Sequence, residues 1–278
     1  MARSQLGNTP VTTIARPYSN DYRIDVLIEG RDVSWNPTGN KSSPTTVTYS
    51  FAVSPGYVSD PEDTNGFVPF TGAQIGAVRS FISLANAILN INFVEVTETA
   101  SAATNYGQIR LANNTQDSAG YALPPGTDEP TAGDVFISDE TISSTYAPGS
   151  FDYDTLIHEI SHAIGLNHPG NYNDGEEPST EPGNYLASSE DSKLISVVSY
   201  VEHPQDLQRI DFAPYDLLAL DYLYGLRPYN ATNTTYAYTD AVGGQLQTIY
   251  DTDGTDTIDV TQVSTPTSIN LNGGIDLS

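Results

Sequence analysis

The sequence contains no cysteine, and that absence excludes disulfide bonds, cysteine-ligated zinc and thiol nucleophiles. Long apolar runs are also missing, because none approaches the ~20 residues that a membrane-spanning helix needs. Residues 1–16 have no apolar core of the signal-peptide type. If the protein is exported, we therefore expect its signal to lie outside this sequence.

Basic residues are scarce: 10 Lys and Arg stand against 35 Asp and Glu, for a formal net charge of −25. Nucleic-acid binding is disfavoured, since a polyanion would be repelled. Calcium-binding carboxylates, a surface suited to salty water and simple solubility remain as explanations of the acidity. Hydrophobic residues make up 38% of the 278 residues, which suffices for one large domain or for a domain with a smaller appendage.

Hydrophobic periodicity predicts strands that precede most of the helices. The strand-like runs are residues 22–29, 45–53, 92–96, 108–112 and 134–138. A helix is expected after Thr71, which has Gln74 at the spacing of a capping box. Further helices are expected at 152–165 and 214–224, the latter with Pro214 in its first turn and Gly225 at its end. The order indicates an α+β domain.

Composition divides the chain into three parts. Residues 1–20 are polar and irregular and are predicted to form a tail, and residues 21–228 are predicted to form the main domain. Residues 167–192 are rich in Gly, Pro, Asn and Glu, which predicts a long loop. After about residue 229, Thr, Asp, Gly and Asn dominate without helical periodicity, so 229–278 is expected to be a short β-rich segment.

The motif H-E-I-S-H-A-I-G-L-N-H begins at His158 and brings three of the four histidines within eleven residues. His158 and His162 lie four apart and therefore on one face of a helix. Gly165 can adopt a left-handed conformation and end the helix, which lets the chain return His168 as a third ligand. Zinc takes three neutral imidazoles and keeps a fourth position open. The alternative, a helix with ordinary surface or core histidines, fits this spacing poorly.

The same motif predicts a chemistry. Glu159 follows the first histidine and projects beside the metal, where it would act as general base towards a zinc-activated water. The expected reaction is the hydrolysis of peptide bonds.

These residues resemble the metzincins and, among them, the serralysins. The resemblance starts near residue 33 and includes VSWN (33–36), GFVPFTGAQI (66–75), HEISHAIGLNHPG (158–170) and YLYG (222–225). It ends in DTDGTDTIDV (251–260) and INLNGG (269–274). Residues 121–125 with 133–135 also look somewhat like matrixins, which stay latent through a pro-segment Cys that is missing here. The resemblance implies a metzincin catalytic domain with a mixed twisted sheet, an active-site helix and a C-terminal helix.

The resemblance also implies roles for residues outside the motif. An antiparallel edge strand above the cleft would bind extended substrates by strand addition; its candidates are Gly120, Tyr121, Ala122 and Leu123. Tyr200 matches the family tyrosine that binds zinc or stabilises the oxyanion, against the alternative of a core tyrosine. Val198 stands where the family has the methionine of its Met-turn. We therefore expect a looser apolar floor under the ligands, with zinc still bound.

The sequence DTDGTDTID (251–259) resembles the entry to the calcium-binding β-roll of serralysins. Its candidate ligands are Asp251, Asp253, Gly254 and Asp256. The glycine-rich repeats of a full roll do not follow, and a solvated acidic hairpin is the alternative.

Three functions are compared on this basis. The first is a secreted, extracellular zinc endopeptidase acting on polypeptides, with zinc and calcium as cofactors. It is expected to be a monomer without a membrane span, and a proteinaceous inhibitor is allowed for as a partner. The second is a zinc-binding module of metzincin fold whose proteolysis is weak or lost because of Val198. The third is a metal-dependent hydrolase of another substrate, which no residue pattern favours.

Overall fold

The computed structural model describes residues 17–28, 34–36, 38–56, 58, 60–99, 106–126, 130–142, 145–172, 185–240 and 244–265. The helices are α1 (Tyr22–Ile28), α2 (Pro61–Thr64), α3 (Gly72–Ile88), α4 (Phe151–Ala163) and α5 (Pro214–Tyr224). The strands are β1 (Thr45–Phe51), β2 (Ile91–Glu95), β3 (Ile109–Asn114), β4 (Gly120–Ala122), β5 (Val135–Ser138), β6 (Gln208–Arg209), β7 (Thr235–Thr239), β8 (Gln245–Leu246) and β9 (Thr257–Gln262). The fold is α+β, as the sequence predicts.

Five of the strands form one mixed sheet in the order β2-β1-β3-β5-β4. The first four strands are parallel to their neighbours, and β4 alone is antiparallel, at the edge. Its register pairs Gly120 with Ile137 and Ala122 with Val135. The sheet therefore presents one antiparallel edge, and α4 packs against β4 and β5 beside it.

Helices α3 and α4 contact each other and share the main hydrophobic core with α1 and α5. The capping box predicted for α3 is confirmed: Thr71 accepts a hydrogen bond from the Gln74 N–H, and the Gln74 side chain accepts one from the Thr71 N–H. Val78, Phe81 and Ile82 of α3 are buried in this core. A second, smaller hydrophobic cluster includes Ala112 of β3 and Phe136 of β5.

The predicted strand at 22–29 is wrong, because residues 22–28 form helix α1. The alternation of Ile24, Val26 and Ile28 imitates a strand, but Leu27 interrupts it and is fully buried. The helix is selected by tertiary packing, since its buried end lies against α5. Local propensity is a weak signal for so short an element and is overridden by such contacts.

The other predicted strands and helices are confirmed, with ends displaced by a few residues. Helix α5 begins at Pro214, and Gly225 ends it with a φ of 84°. Part of the predicted loop, residues 173–184, lies outside the described residues, as do residues 1–16, residue 33 and the stretch 269–274.

The chain after residue 229 contributes β7, β8 and β9. Strands β7 and β9 pair in parallel with one irregularity, and β8 pairs with β6, which precedes α5. Arg209 of β6 is 2% exposed and donates hydrogen bonds to the Lys193 carbonyl and to Thr248 Oγ1. The β-rich segment is therefore joined to the main domain by side-chain and backbone bonds. The boundary near residue 229 stays a prediction.

Candidate metal centre

Helix α4 and the turn after it bring three histidines together. His158 and His162 lie on one face of α4, which Ser150 caps at its N-terminus. Gly165 has a φ of 114°, and the Leu166 N–H bonds back to the Ser161 carbonyl, so the chain turns directly after the helix. This turn carries His168 back to the other two rings.

The three Nε2 atoms form a nearly equilateral triangle. The distances are 3.1 Å between His158 and His162, 3.2 Å between His158 and His168, and 3.0 Å between His162 and His168. Ligand nitrogens at about 2.0–2.1 Å from a tetrahedral zinc lie about 3.3–3.4 Å apart. The triangle therefore fits zinc after an expansion of a few tenths of an ångström. Within the described ranges, no other group of three His, Asp or Glu side chains converges in this way.

Backbone carbonyls fix the orientation of two of the rings. His158 Nδ1 lies 3.0 Å from the Val197 carbonyl oxygen, and His162 Nδ1 lies 2.7 Å from that of Leu166. A carbonyl can only accept, so each Nδ1 must carry the proton, which leaves the Nε2 lone pair for a metal. Burial also lowers the pKa of His158 well below its usual value, because the imidazolium would lose its hydration. His158 is thus held in its neutral, metal-binding form.

Asp216 fixes the segment that carries the Val197 carbonyl. Its carboxylate accepts hydrogen bonds from Ser196 Oγ (2.7 Å), the Val197 N–H (2.8 Å) and the Ala213 N–H (2.7 Å). Burial raises the pKa of Asp216 to about 6, although these three donors act in the opposite direction. Sequence reasoning missed this residue, whose only local signal is its position in the first turn of α5.

Glu159 lies beside the triangle and is 6% exposed. Burial raises the pKa of its carboxyl to about 8, and the positive charge of Lys193 acts in the opposite direction. A divalent cation at the three imidazoles would lower the pKa of Glu159 further. Glu159 is therefore a buried carboxyl beside the ligands, and its ionisation is governed by its surroundings.

Strand β4 approaches Glu159 very closely. A Cβ atom added to Gly120 would lie 2.9 Å from Glu159 Cγ and 3.2 Å from Glu159 Oε1. The Tyr121 side chain is directed elsewhere: its ring stacks on Phe136, and its hydroxyl donates to Asp63 Oδ1. The absence of a side chain at residue 120 thus lets the edge strand lie against Glu159.

One cleft combines the edge strand and the histidines. Its lining residues are Gly120, Tyr121, Ala122, Pro124, Glu159, His162, Leu166, Asn167, His168 and Tyr200. Three of the four residues predicted for substrate binding line it, and the fourth, Leu123, packs against the smaller cluster. The cleft therefore places the antiparallel edge strand along the candidate metal site.

Tyr200 and Val198 occupy contrasting positions in the segment after the long loop. The Tyr200 side chain is 56% exposed, with its ring centroid 4.3 Å from that of His168 and 5.6 Å from that of His158. This position does not fit the alternative of a core tyrosine. Val198 is fully buried in the main core.

A buried ion pair that the sequence does not reveal connects α4 to the segment after the long loop. Lys193 Nζ is 2.5 Å from Asp154 Oδ2, and the two side chains are 6% and 2% exposed. The Lys193 N–H also donates to the Val201 carbonyl. Asp154 precedes His158 by four residues, so helical spacing places it on the same face, but no local pattern identifies Lys193 as its partner. The pair joins α4 to the segment that ends in Tyr200.

The candidate calcium ligands are not brought together. Asp251 accepts a hydrogen bond from the Tyr236 hydroxyl, Asp253 from the Gly254 N–H, and Asp256 from the Thr234 N–H. Gly254 has a φ of 127°, which makes a tight turn there. Each of the three carboxylates has its own hydrogen-bond partner, and two of these partners, Tyr236 and Thr234, lie in or next to β7.

Comparisons with known proteins agree with the geometry. The chain is 30% identical to serralysin C of Dickeya chrysanthemi over 91% of its own length and 57% of the relative's. It is 29% identical to serralysin of Proteus mirabilis over 89% of its length and 56% of the relative's. It is also 29% identical to serralysin of Photorhabdus laumondii over 88% and 55%. The chain thus spans somewhat more than half the length of these curated relatives. No family model matches it.

Proposed function

We propose that this chain is a zinc metalloendopeptidase of the serralysin type, because nine-tenths of its length aligns with serralysin C at 30% identity. The observation that carries the proposal is the triangle of three Nε2 atoms 3.0–3.2 Å apart, with a buried carboxyl beside it and, among the described strands, the edge of the sheet along it. A binding protein would need the triangle but not the carboxyl and the edge together.

His158, His162 and His168 are the proposed zinc ligands, and two of them are held by carbonyl oxygens in the tautomer that ligation requires. Bound zinc supplies Lewis-acid polarisation of the scissile carbonyl and raises the acidity of water. The neutral rings leave the ion's charge uncompensated, which favours that polarisation.

Glu159 is the proposed general base. Its carboxylate accepts a proton from the water that attacks the peptide carbonyl, and it returns this proton to the amine that leaves when the C–N bond breaks. Its position supports the role, because the carboxyl is buried in the same cleft as His162 and His168.

Strand β4 is the proposed substrate platform. Its outer edge faces the cleft, since β5 occupies the other edge. An extended peptide can add to such an edge through main-chain hydrogen bonds, which gives affinity with little dependence on side chains. Tyr200, close to two of the ligands, is the proposed donor to the oxyanion.

The experiment is the hydrolysis of a fluorogenic peptide by zinc-loaded protein with the change Glu159→Gln. We expect the rate to fall by about 10²–10⁴-fold, because a neutral amide cannot accept the proton. Zinc content, measured by atomic absorption, stays at one per chain. Glu62→Gln, at an exposed position in α2, is the matched control and keeps full activity.

Two outcomes would contradict the proposal. Undiminished hydrolysis by the Glu159→Gln protein removes Glu159 from the mechanism. Stoichiometric zinc without hydrolysis in the unaltered protein favours the zinc-binding module in which Val198 replaces the family methionine.

Secretion, the calcium site and the protein partners are also part of the proposed function. In the part of the chain that the structure describes, no helix is long and apolar enough to cross a membrane. We propose an extracellular monomer that acts on polypeptides and can take a proteinaceous inhibitor in the same cleft. We also propose a calcium ion near the turn at Gly254, where calcium would have to draw Asp251, Asp253 and Asp256 out of their present hydrogen bonds.

A further inference from the structure

Tyr172 holds Tyr200 by two separate contacts. The Tyr200 N–H donates a hydrogen bond to the Tyr172 hydroxyl oxygen at 3.1 Å. The two rings stack with centroids 4.7 Å apart and planes at 17°. Tyr200 is 56% exposed, and Tyr172 packs against its ring.

Asp191 anchors this pair to the body of the protein. It is 5% exposed, and its Oδ2 accepts a hydrogen bond from the Tyr172 hydroxyl at 2.9 Å. Its Oδ1 accepts one from Ser199 Oγ at 2.6 Å. One carboxylate therefore holds both Tyr172 and the residue that precedes Tyr200.

The turn after the third histidine sets Tyr172 in place. The Tyr172 ring centroid lies 5.3 Å from that of His168. A Cβ atom added to Gly170 would lie 1.9 Å from Tyr172 Cε1 and 2.6 Å from Asp191 Oδ2. Gly170 therefore permits a packing in which His168, Tyr172 and Tyr200 form a continuous aromatic group.

We propose that Tyr172, anchored by Asp191, is a positioning residue that holds Tyr200 over the imidazoles of His158 and His168. The inference rests on the proposed function, in which Tyr200 donates to the oxyanion. Tyr200 itself is nearly parallel to both the His158 ring (18°) and the Tyr172 ring (17°). The Tyr200 ring stacks on Tyr172, and the Tyr200 N–H bonds to the Tyr172 hydroxyl, so the rotamers of the Tyr200 side chain are restricted. Such preorganisation speeds the chemical step without altering substrate affinity.

The direct test follows the Tyr200 ring by ¹⁹F NMR of zinc-loaded protein containing fluorotyrosine. The change Tyr200→Phe identifies the Tyr200 resonance by its loss. We expect Tyr172→Leu, which removes the stack and the hydroxyl, to move that resonance to the position of a solvent-exposed fluorotyrosine. A Tyr200 resonance that stays in place in this variant overturns the proposal, whether or not the protein hydrolyses peptides.

Steady-state kinetics provide the second readout. We expect Tyr172→Leu to lower kcat about ten-fold and to change KM less than about two-fold, because the residue acts on the transition state through Tyr200. In a Tyr200→Phe background the same change has no further effect on kcat. Equal losses in both backgrounds mean that Tyr172 acts only on the loop or directly on substrate, and they overturn the proposal.

Milder variants cover the case in which Tyr172→Leu does not fold. Tyr172→Phe keeps the stack but deletes the hydroxyl, and Asp191→Asn weakens the anchor; each is expected to lower kcat about two- to five-fold with the same dependence on Tyr200. Tyr49→Phe is the matched control, since Tyr49 bonds to a carboxylate of Glu95 (3.1 Å) away from the cleft. It leaves both kcat and the Tyr200 resonance unchanged.

Discussion

Val197 contributes to the metal centre through its backbone. Its carbonyl orients His158, and its N–H is held by Asp216, which is fully buried. Any residue type could supply these two groups, so the carbonyl partner of His158 has no signature in the sequence.

Asp216 gives a prediction about pH. Burial raises its pKa to about 6 in the folded protein, against 3.8 for the free group. The folded state thus binds more protons than the unfolded state between these values, and the contribution of Asp216 to stability falls as the pH rises from about 4 to about 6. A shift of this size corresponds to about 2–3 kcal/mol.

The measurement is urea unfolding of metal-free protein at pH 4 and pH 7, with and without Asp216→Asn. An asparagine keeps an oxygen for the Val197 and Ala213 N–H groups but does not titrate. We expect the stability of the unaltered protein relative to the variant to decrease by about 2–3 kcal/mol from pH 4 to pH 7. A difference that is constant or grows with pH contradicts the raised pKa.

At the scale of elements, the site depends on how strand β4 and helix α4 meet. The helix supplies Glu159, and the strand can reach it only because residue 120 has no side chain. The pattern H-E-x-x-H predicts the helix and its face, but not the contact with a strand in which Gly120 lies 39 residues before Glu159.

We expect Gly120→Ala to lower kcat/KM at least about ten-fold, because the new methyl group would lie 2.9 Å from Glu159 Cγ and displace either the carboxylate or the edge. Peptide hydrolysis measures the effect, and zinc content is expected to stay at one per chain. Gly76→Ala is the matched control: nothing lies within 4 Å of a Cβ there, and Gly76 is inside α3. That change is expected to stabilise the protein by about 0.5–1 kcal/mol. Unchanged activity of the Gly120→Ala protein would show that the clash relaxes harmlessly.

At the scale of the whole molecule, the net negative charge affects the stability of the fold. A net charge of −25 on 278 residues repels itself in the folded state, and salt screens that repulsion. We expect Tm to rise by several degrees when NaCl is raised from about 0.05 M to about 0.3 M, where the Debye length is under about 10 Å. Calorimetry measures this shift, and a Tm that falls with salt contradicts it.

The same calorimetry distinguishes specific calcium binding from the general effect of salt on charge repulsion. At equal ionic strength, CaCl₂ is expected to raise Tm more than MgCl₂, since calcium accepts the flexible oxygen sets that turns provide. Asp253→Asn removes this difference if the site lies at the turn. Equal shifts with the two salts identify residues 251–259 as a solvated acidic hairpin.

The sequence by itself determined what depends on neighbours along the chain. The spacing of His158, His162 and Gly165 specifies a helical face and its termination, and the capping box at Thr71 specifies where α3 begins. Such signals can be read from the sequence because helix geometry depends on residues close together in the chain. The α+β class follows from the order of the predicted strands and helices, and the β-rich end follows from composition.

Tertiary structure decided everything that depends on distant partners. The run at residues 22–28 is helical because it packs on α5. Lys193 reaches Asp154 across 39 residues, and Tyr172 reaches Tyr200 across 28. The residues in these contacts are too far apart in the chain for helical or strand periodicity to relate them. Only the assembled core brings them within hydrogen-bonding distance.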